Sequence, residues 1–324
     1  MPSSIGTDVT QAAAILRDGG LVAFATETVY GLGANALNAR AVARIFEVKN
    51  RPSFDPIIVH IAELDQLPKL TRSIPARAEQ LAARFWPGPL TMVLPKADIV
   101  PDIVTSGLSS VGVRMPDHPL ALALLREAGL PVAAPSANPF GRISPTRAEH
   151  VAEMLGDRID YILDGGPCRV GLESTVLDLT GDVPVLLRPG GLPVEEIEAV
   201  VGQVIIAQTS AEHSEAAMPA PGMLPRHYAP RTRLVIDARL DEIPRSLRRR
   251  AGFLAFRFPP NDSAYEAIEV LSPAGDLTEA AANFFAALRR LDALDLDLIV
   301  AESFPDHGLG RALNDRLRRA AQEE

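Results

Sequence analysis

Over about the first 200 residues, helix-periodic apolar segments alternate with short strand-like runs, and several of those runs follow one another directly. This pattern limits the fold more than any other feature of the chain. An all-parallel sheet needs a long crossover between successive strands, so directly joined strands call for a mixed sheet inside an α/β domain. A helix over about 8–18 ends at Gly19 and Gly20, a common helix stop. "LVAFAT" then reads as a strand and "VYGLGANAL" as a Gly-containing turn, whose glycines most simply serve tight bends. A helix over about 39–48 leads to Lys49, and "IIVHI" is the next strand. "LTMVLP", "SVGVRMP", "VAAPSA", "YILDGG", "STVLDL" and "VPVLLR" continue the strands, with helices over 75–85, 118–128, 146–155 and 194–201.

Composition changes after about Val204. "TSAEHSEAAMPAPGMLPRHYAPRT" is rich in small residues and proline and has no sustained period, so it reads as a long connection. Beyond it, "RLVIDA", "GFLAFR", "AIEVLS" and "DLIVAES" are strand-like. They are interleaved with the amphipathic "LTEAAANFFAALRRLDAL" and a charged helix from about Gly310. The chain thus divides into an α/β unit over 1–204, a Pro-rich connection over 205–232 and a smaller Rossmann-like α/β unit over 233–324.

No apolar run reaches the length of a membrane span, and the N-terminus lacks the basic start of a signal peptide, so the expected compartment is the cytoplasm. Cys168 is the single cysteine, which excludes an intrachain disulfide and thiolate metal clusters. The six histidines show no HxxxH spacing, and no metal site is expected. A net charge of −9 argues against a nonspecific grip on a nucleic-acid backbone, though not against a local basic pocket.

Two short patterns invite chemistry. In "EVKNRPSFDPIIVH", Lys49 and Arg51 stand two apart at a helix end, and Pro52 disfavours helical geometry at Arg51. With the helix stopping near Val48, an extended chain would turn both cations to one side. In "APSANPFG", Ser136 and Asn138 repeat that grammar before Pro139. Cations in one place and neutral hydrogen-bonding groups in another suit a polyphosphate or a carboxylate. Spacing alone leaves open a solvated helix end and an ordinary Ser/Asn turn. GxxxxGK[ST] and GxSxG are both absent from the chain.

"TETVYGLG", "KNRP" followed by "PIIVHI", "VGVRMPDHP", "APSANPFGRISPT", "GLESTVLD" and "LLRPGG", in that order, closely resemble the YrdC-like domain. With "HYAPRT" and a small α/β unit after them, the chain resembles the two-domain threonylcarbamoyl-adenylate synthase family over nearly its whole length. The resemblance implies an enzyme making threonylcarbamoyl-AMP and pyrophosphate from L-threonine, bicarbonate and ATP with Mg²⁺, for modification of tRNA. It also implies transient contact with the downstream tRNA threonylcarbamoyltransferase, while direct tRNA binding stays open. An RNA-binding module without catalysis is the alternative.

By resemblance, threonine falls to Thr28, His60, Arg114, the backbone around Ala134, and Ser174. ATP falls to Lys49, Arg51, Asp55, Ser110, Ser136, Asn138, Ser144, Arg188 and Tyr228; of these Lys49, Arg51, Ser136 and Asn138 carry the catalytic expectation. Asp55 stands where the family commonly has asparagine, Ala25 where proline is usual and Asn35 where aspartate is usual. Asp55 so placed would hold Mg²⁺, pair with a cation or weaken nucleotide binding. "PGMLPRHYAP" is expected to fold over the nucleotide, with Tyr228 near the phosphates and Pro225 and Pro230 limiting its freedom.

Overall fold

The computed structural model describes residues 4–207, 218, 221–222, 227–239, 243, 250–259 and 265–322. Pro225 and most of the connection lie outside the described residues. The first unit begins with β1 (Ser4–Gly6), α1 (Val9–Arg17), β2 (Val22–Phe24), β3 (Gly31–Asn35), α2 (Ala39–Lys49) and β4 (Val59–His60). It continues with α3 (Leu67–Leu70), α4 (Ala76–Phe85), β5 (Leu90–Pro95), α5 (Asp102–Thr105), β6 (Ser110–Arg114) and α6 (Pro119–Ala128). It closes with β7 (Val132–Ala133), α7 (Ala148–Leu155), β8 (Tyr161–Leu163), β9 (Thr175–Asp178), β10 (Val185–Arg188), α8 (Val194–Val201) and β11 (Ile205–Ile206).

Eleven strands form one sheet, in the order β1-β8-β2-β3-β7-β4-β6-β5-β9-β10-β11. The sheet is mixed: β2 pairs antiparallel with β3 but parallel with β8, and β6 pairs antiparallel with β5 but parallel with β4. Alternation along the strands feeds two cores. Ala23 belongs to one of them, with Ile45 of α2, Leu81 of α4 and Val151 of α7. Its neighbours Val22 and Phe24 belong to the other, with Leu16 of α1 and Leu124 of α6.

The stretch read as a Gly-containing turn is strand β3, central to the sheet. Its glycines serve close packing rather than bending: a Cβ at Gly33 would come within 2.8 Å of both Phe24 Cε1 and Val132 Cγ1. Strands β1 and β11, short and at the sheet's edges, were not anticipated either.

The second unit runs β12 (Arg233–Ile236), β13 (Ala251–Ala255), β14 (Ala267–Val270), α9 (Leu277–Asp292), β15 (Leu298–Ala301) and α10 (Leu309–Ala320). Its four strands are all parallel, in the order β12-β15-β13-β14. Helix α9 starts where Asp276 accepts from the Thr278 and Glu279 amides at 2.6 and 3.2 Å, and it buries Phe284, Phe285 and Leu288.

The core beneath α9 also holds Val29, Ile143, Leu172 and Tyr228, so loops of the first unit are built into the second. Gly171 makes this approach possible. Its φ is +75°, and a Cβ there would collide with the Ala281 carbonyl and come within 2.6 Å of Ala282 Cα. Gly171→Ala is expected to cost about 2 kcal/mol or more in urea unfolding. Gly141, with φ +78° and open space around it, is the comparison: Gly141→Ala should cost only the conformational part, about 1 kcal/mol.

Candidate active site

Helix α2 runs through Lys49, and Asn50 closes it in the left-handed region at φ 51°, ψ 42°. The expected extended run from Val48 is therefore replaced by a reversal, after which Arg51 N–H returns to the Phe46 carbonyl at 3.0 Å. The reversal separates the two cations. Lys49 is buried and its Nζ donates to the carbonyls of Ser136, at 2.5 Å, and Asn138. Arg51 turns into a cleft that Ser136 also lines. The two sequence pairs thus meet in one place, but only one member of each lines the cleft. Asn138 sits behind it, its amide donating to the Pro139 and Arg142 carbonyls at 3.1 and 2.7 Å. Lys49 and Asn138 shape the loop that carries Ser136.

One end of the cleft is built around Arg114, the last residue of β6. Its Nε donates to the Gly88 carbonyl at 3.2 Å, one terminal nitrogen donates to Thr28 Oγ1 at 2.9 Å, and the other lies 2.6 Å from Glu27 Oε1. A guanidinium has five N–H groups, so donors remain for a planar anion. The hydroxyl bonds can be oriented. Thr26 Oγ1 donates to the Val29 carbonyl at 2.7 Å, so the 2.8 Å contact between the two hydroxyls is donated by Thr28. Thr28 accepts from Arg114 and keeps acceptor capacity, suited to an ammonium or hydroxyl donor. Ala134 also lines the cleft, its N–H bonded to the Ile58 carbonyl at 2.9 Å.

His60, on β4 beside Arg114, is held down at about 3 by burial and then by the Arg114 charge. It is a neutral polar group there. Burial also lowers His150, to about 4, and His118 and His227. An unfolded imidazole takes its proton near pH 6.5, well above the folded value, so between the two the unfolded state binds more protons. Stability should therefore fall as pH drops below about 6.5, with His60 alone giving a slope approaching 1.4 kcal/mol per pH unit. Urea midpoints at pH 7.5, 6 and 5 check this, and a flat series would contradict it.

Arg51, Arg188 and Tyr228 also line the cleft, the two arginines both acting on the Asp55 carboxyl. Ser174, expected beside threonine, lines it too and is bonded to Arg188 and to Thr91 Oγ1 rather than to Arg114 or Thr28. Arg188, at the end of β10, donates to the Ser174 carbonyl at 2.8 Å, to Ser174 Oγ at 3.2 Å and to the Pro221 carbonyl at 3.0 Å. Arg51 bonds the Asp55 and Pro56 carbonyls at 3.0 and 2.7 Å and pairs with the Asp55 carboxylate at 2.9 Å. Asp55 is fully buried; burial pushes its carboxyl up, against the pull of Arg51, Arg188 and Lys49. Of the roles expected for it, the geometry shows the cation pair. Ser144 is buried behind the cleft, donating to Glu173 Oε1 at 2.5 Å. Ser110 lines a separate small pocket beyond Ile58 and Pro221. Pro221, Gly222, His227 and Tyr228 of the connection line the same cleft as Arg51 and Arg114.

Glu27 and Glu173 were missed as site residues, although both lie inside quoted motifs. Glu173 lines the cleft between Ser144 and Arg316 of α10, whose Nε donates to Glu173 Oε2 at 2.8 Å. Among the described residues, no cluster of three or more His, Cys, Asp or Glu is placed to hold a metal. The nearby carboxylates of Glu27, Asp55 and Glu173 are each committed to an arginine. That donor set fits a Mg²⁺ ion that arrives on phosphate oxygens, and it does not fit a protein cage.

Fold and site together define a two-domain α/β protein with the means to hold a small carboxylate beside a polyanion in one cleft. Residues 14–190 match the family model described as telomere recombination, which joins Sua5, YciO and YrdC. Residues 192–322 match the model described as the threonylcarbamoyl-AMP synthase C-terminal domain. The chain is 49% identical to the threonylcarbamoyl-AMP synthase of Pyrococcus abyssi, over 96% of this chain and 93% of that one. It is 48% identical to that of Bacillus subtilis, over 97% and 92%. The crystal structure of P. abyssi Sua5 complexed with L-threonine superposes with a TM-score of 0.88 at 47% identity, covering 97% of this chain and 94% of that one. The chain belongs to the Sua5/YciO/YrdC family, in the form that carries the synthase C-terminal domain.

Proposed function

We propose that this chain makes L-threonylcarbamoyl-AMP and pyrophosphate from L-threonine, bicarbonate and ATP, the adenylate then serving threonylcarbamoyladenosine modification of tRNA. The observation that carries the reading is one cleft lined by two groups, Arg114 with Thr28 and a neutral His60, and Arg51 with Arg188 around Asp55; we assign the first to threonine and the second to the nucleotide end. Relatives near half identity over almost the full length bear the synthase name, and one is a complex with L-threonine.

The threonine nitrogen and bicarbonate carbon form a carbamate with loss of water. A carbamate oxygen then attacks the α-phosphorus, and the bond to the bridging oxygen breaks to release pyrophosphate. No protein nucleophile is required, so the residues contribute alignment and charge. Arg114 takes the threonine carboxylate and Thr28 accepts from the amino acid's donors. Arg51 and Arg188 face the triphosphate, which brings Mg²⁺ as part of the substrate. Tyr228 and its neighbours in the connection cover the cleft, and exclusion of water protects the carbamate and the mixed anhydride. Among the described residues no helix is long and apolar enough to cross a membrane, which suits work in the cytoplasm. With a net charge of −9 the chain is a poor match for a tRNA backbone, so the adenylate is handed on to the downstream transferase in a transient contact.

The decisive experiment incubates purified protein with ATP, Mg²⁺ and bicarbonate, with threonine or serine. Pyrophosphate should appear only with threonine and bicarbonate together. Release without bicarbonate would indicate a plain aminoacyl-adenylating enzyme, and no release with tight RNA binding would indicate a binding module. The departure at Asp55 gives a further check. Its carboxylate mutes the Arg51 charge, so Asp55→Asn is expected to lower KM for ATP about threefold. The same change leaves Arg51 without its counter-charge and should cost about 1–3 kcal/mol of stability.

A further inference from the structure

We infer that Arg316, in the C-terminal unit, is a positioning residue for the nucleotide end of the cleft, acting by holding and neutralising Glu173. This rests on the synthase reading above. Arg316 is fully buried, although it lies in a helix whose other arginines include the half-buried Arg311 and the exposed Arg318. Its side chain leaves its own unit. Besides the Glu173 pair at 2.8 Å, it donates to the Pro189 carbonyl at 3.0 Å, next to Arg188, and its guanidinium lies 4.8 Å from the centre of the Tyr228 ring. Asp315, on the same helix, accepts from Arg316 at 2.6 Å and from Arg319 at 3.0 Å, which fixes the guanidinium from behind. The Arg319 carbonyl in turn accepts from His227 N–H at 3.2 Å.

Three groups of the cleft wall, Glu173, Tyr228 and the turn carrying Arg188, therefore share one partner. None of the Arg316 contacts reaches Thr28, His60 or Arg114. With Arg316 in place, both Glu173 oxygens are occupied, one by Ser144 and one by the guanidinium. Without it, a buried carboxylate faces the end of the cleft assigned to triphosphate, where a negative charge repels the ligand and is weakly screened. The effect should fall on ATP and spare threonine. A merely structural loss would fall on both.

The test measures dissociation constants for ATP and for threonine separately, by calorimetry, on the full chain as wild type, Arg316→Met, Arg316→Lys and the double variant Arg316→Met with Glu173→Gln. Arg316→Met should weaken ATP at least about tenfold, which is about 1.4 kcal/mol, and change threonine less than twofold. The double variant should regain most of the ATP loss, and Arg316→Lys should fall between. Equal weakening of both ligands, no change for ATP, or no recovery in the double variant would overturn the inference. If Arg316→Met does not fold, the ATP-to-threonine split in Arg316→Lys decides, and its absence counts against the proposal. Pyrophosphate release by wild type is assayed in parallel. Its failure alongside an intact ATP split would refute the synthase reading and leave the positioning role standing.

Discussion

Arg114→Ala is expected to lower kcat/KM for threonine by about 100-fold or more and to destabilise the fold by about 3–5 kcal/mol. Two separate losses are combined in that result. The activity loss follows from removing the guanidinium bonded to Thr28, the partner proposed for the substrate carboxylate. The stability loss follows from leaving Glu27, whose side chain is fully buried, without its 2.6 Å ion pair. A second variant separates them. Replacing both partners by apolar groups, Arg114→Leu with Glu27→Leu, removes the uncompensated charge and should recover most of the stability. Activity should stay as low as in the single variant. Recovery of both would show that Arg114 acts through the fold alone, and recovery of neither would show that the buried pair is not the source of the stability loss.

What the sequence shows of this molecule tracks how local the physics is. Helices α1, α4 and α6 follow their apolar period and stop at glycine or proline signals, so their ends fall within a residue or two of expectation. Strand β3 does not announce itself: "GLGAN" has no β-branched residue, and its glycines answer to Phe24 and Val132, which only the sheet brings near. At the cleft, the Lys49/Arg51 and Ser136/Asn138 spacings marked two segments that the fold brings together. The side each residue takes is decided by the left-handed turn at Asn50 and by backbone carbonyls 87 and 89 residues away. Glu173 lay inside a quoted motif, yet the guanidinium that pairs with it comes from Arg316, 143 residues later. No local signal distinguishes that arginine within "RALNDRLRRA".

Arg188→Ala is expected to raise KM for ATP about 10–100-fold while moving KM for threonine by much less. The Arg188 donors go to Ser174 and to the Pro221 carbonyl of the connection, not to Thr28 or Arg114. Alanine therefore removes a cation from the proposed nucleotide end and, in the same step, one of the contacts that hold the connection, at Pro221. A tenfold loss corresponds to about 1.4 kcal/mol and a hundredfold loss to about 2.8. The Ser174 carbonyl also loses its charged donor, but that cost is shared by the free and bound protein and should appear in the unfolding midpoint rather than in KM. Arg188→Lys separates charge from anchoring. A single ammonium restores a positive charge but lacks the planar fork that reaches Ser174 and Pro221 together. Recovery of KM with lysine would assign the effect to charge, and failure to recover would assign it to the anchored connection. If neither variant raised KM for ATP above wild type, the nucleotide would not lie at this end of the cleft.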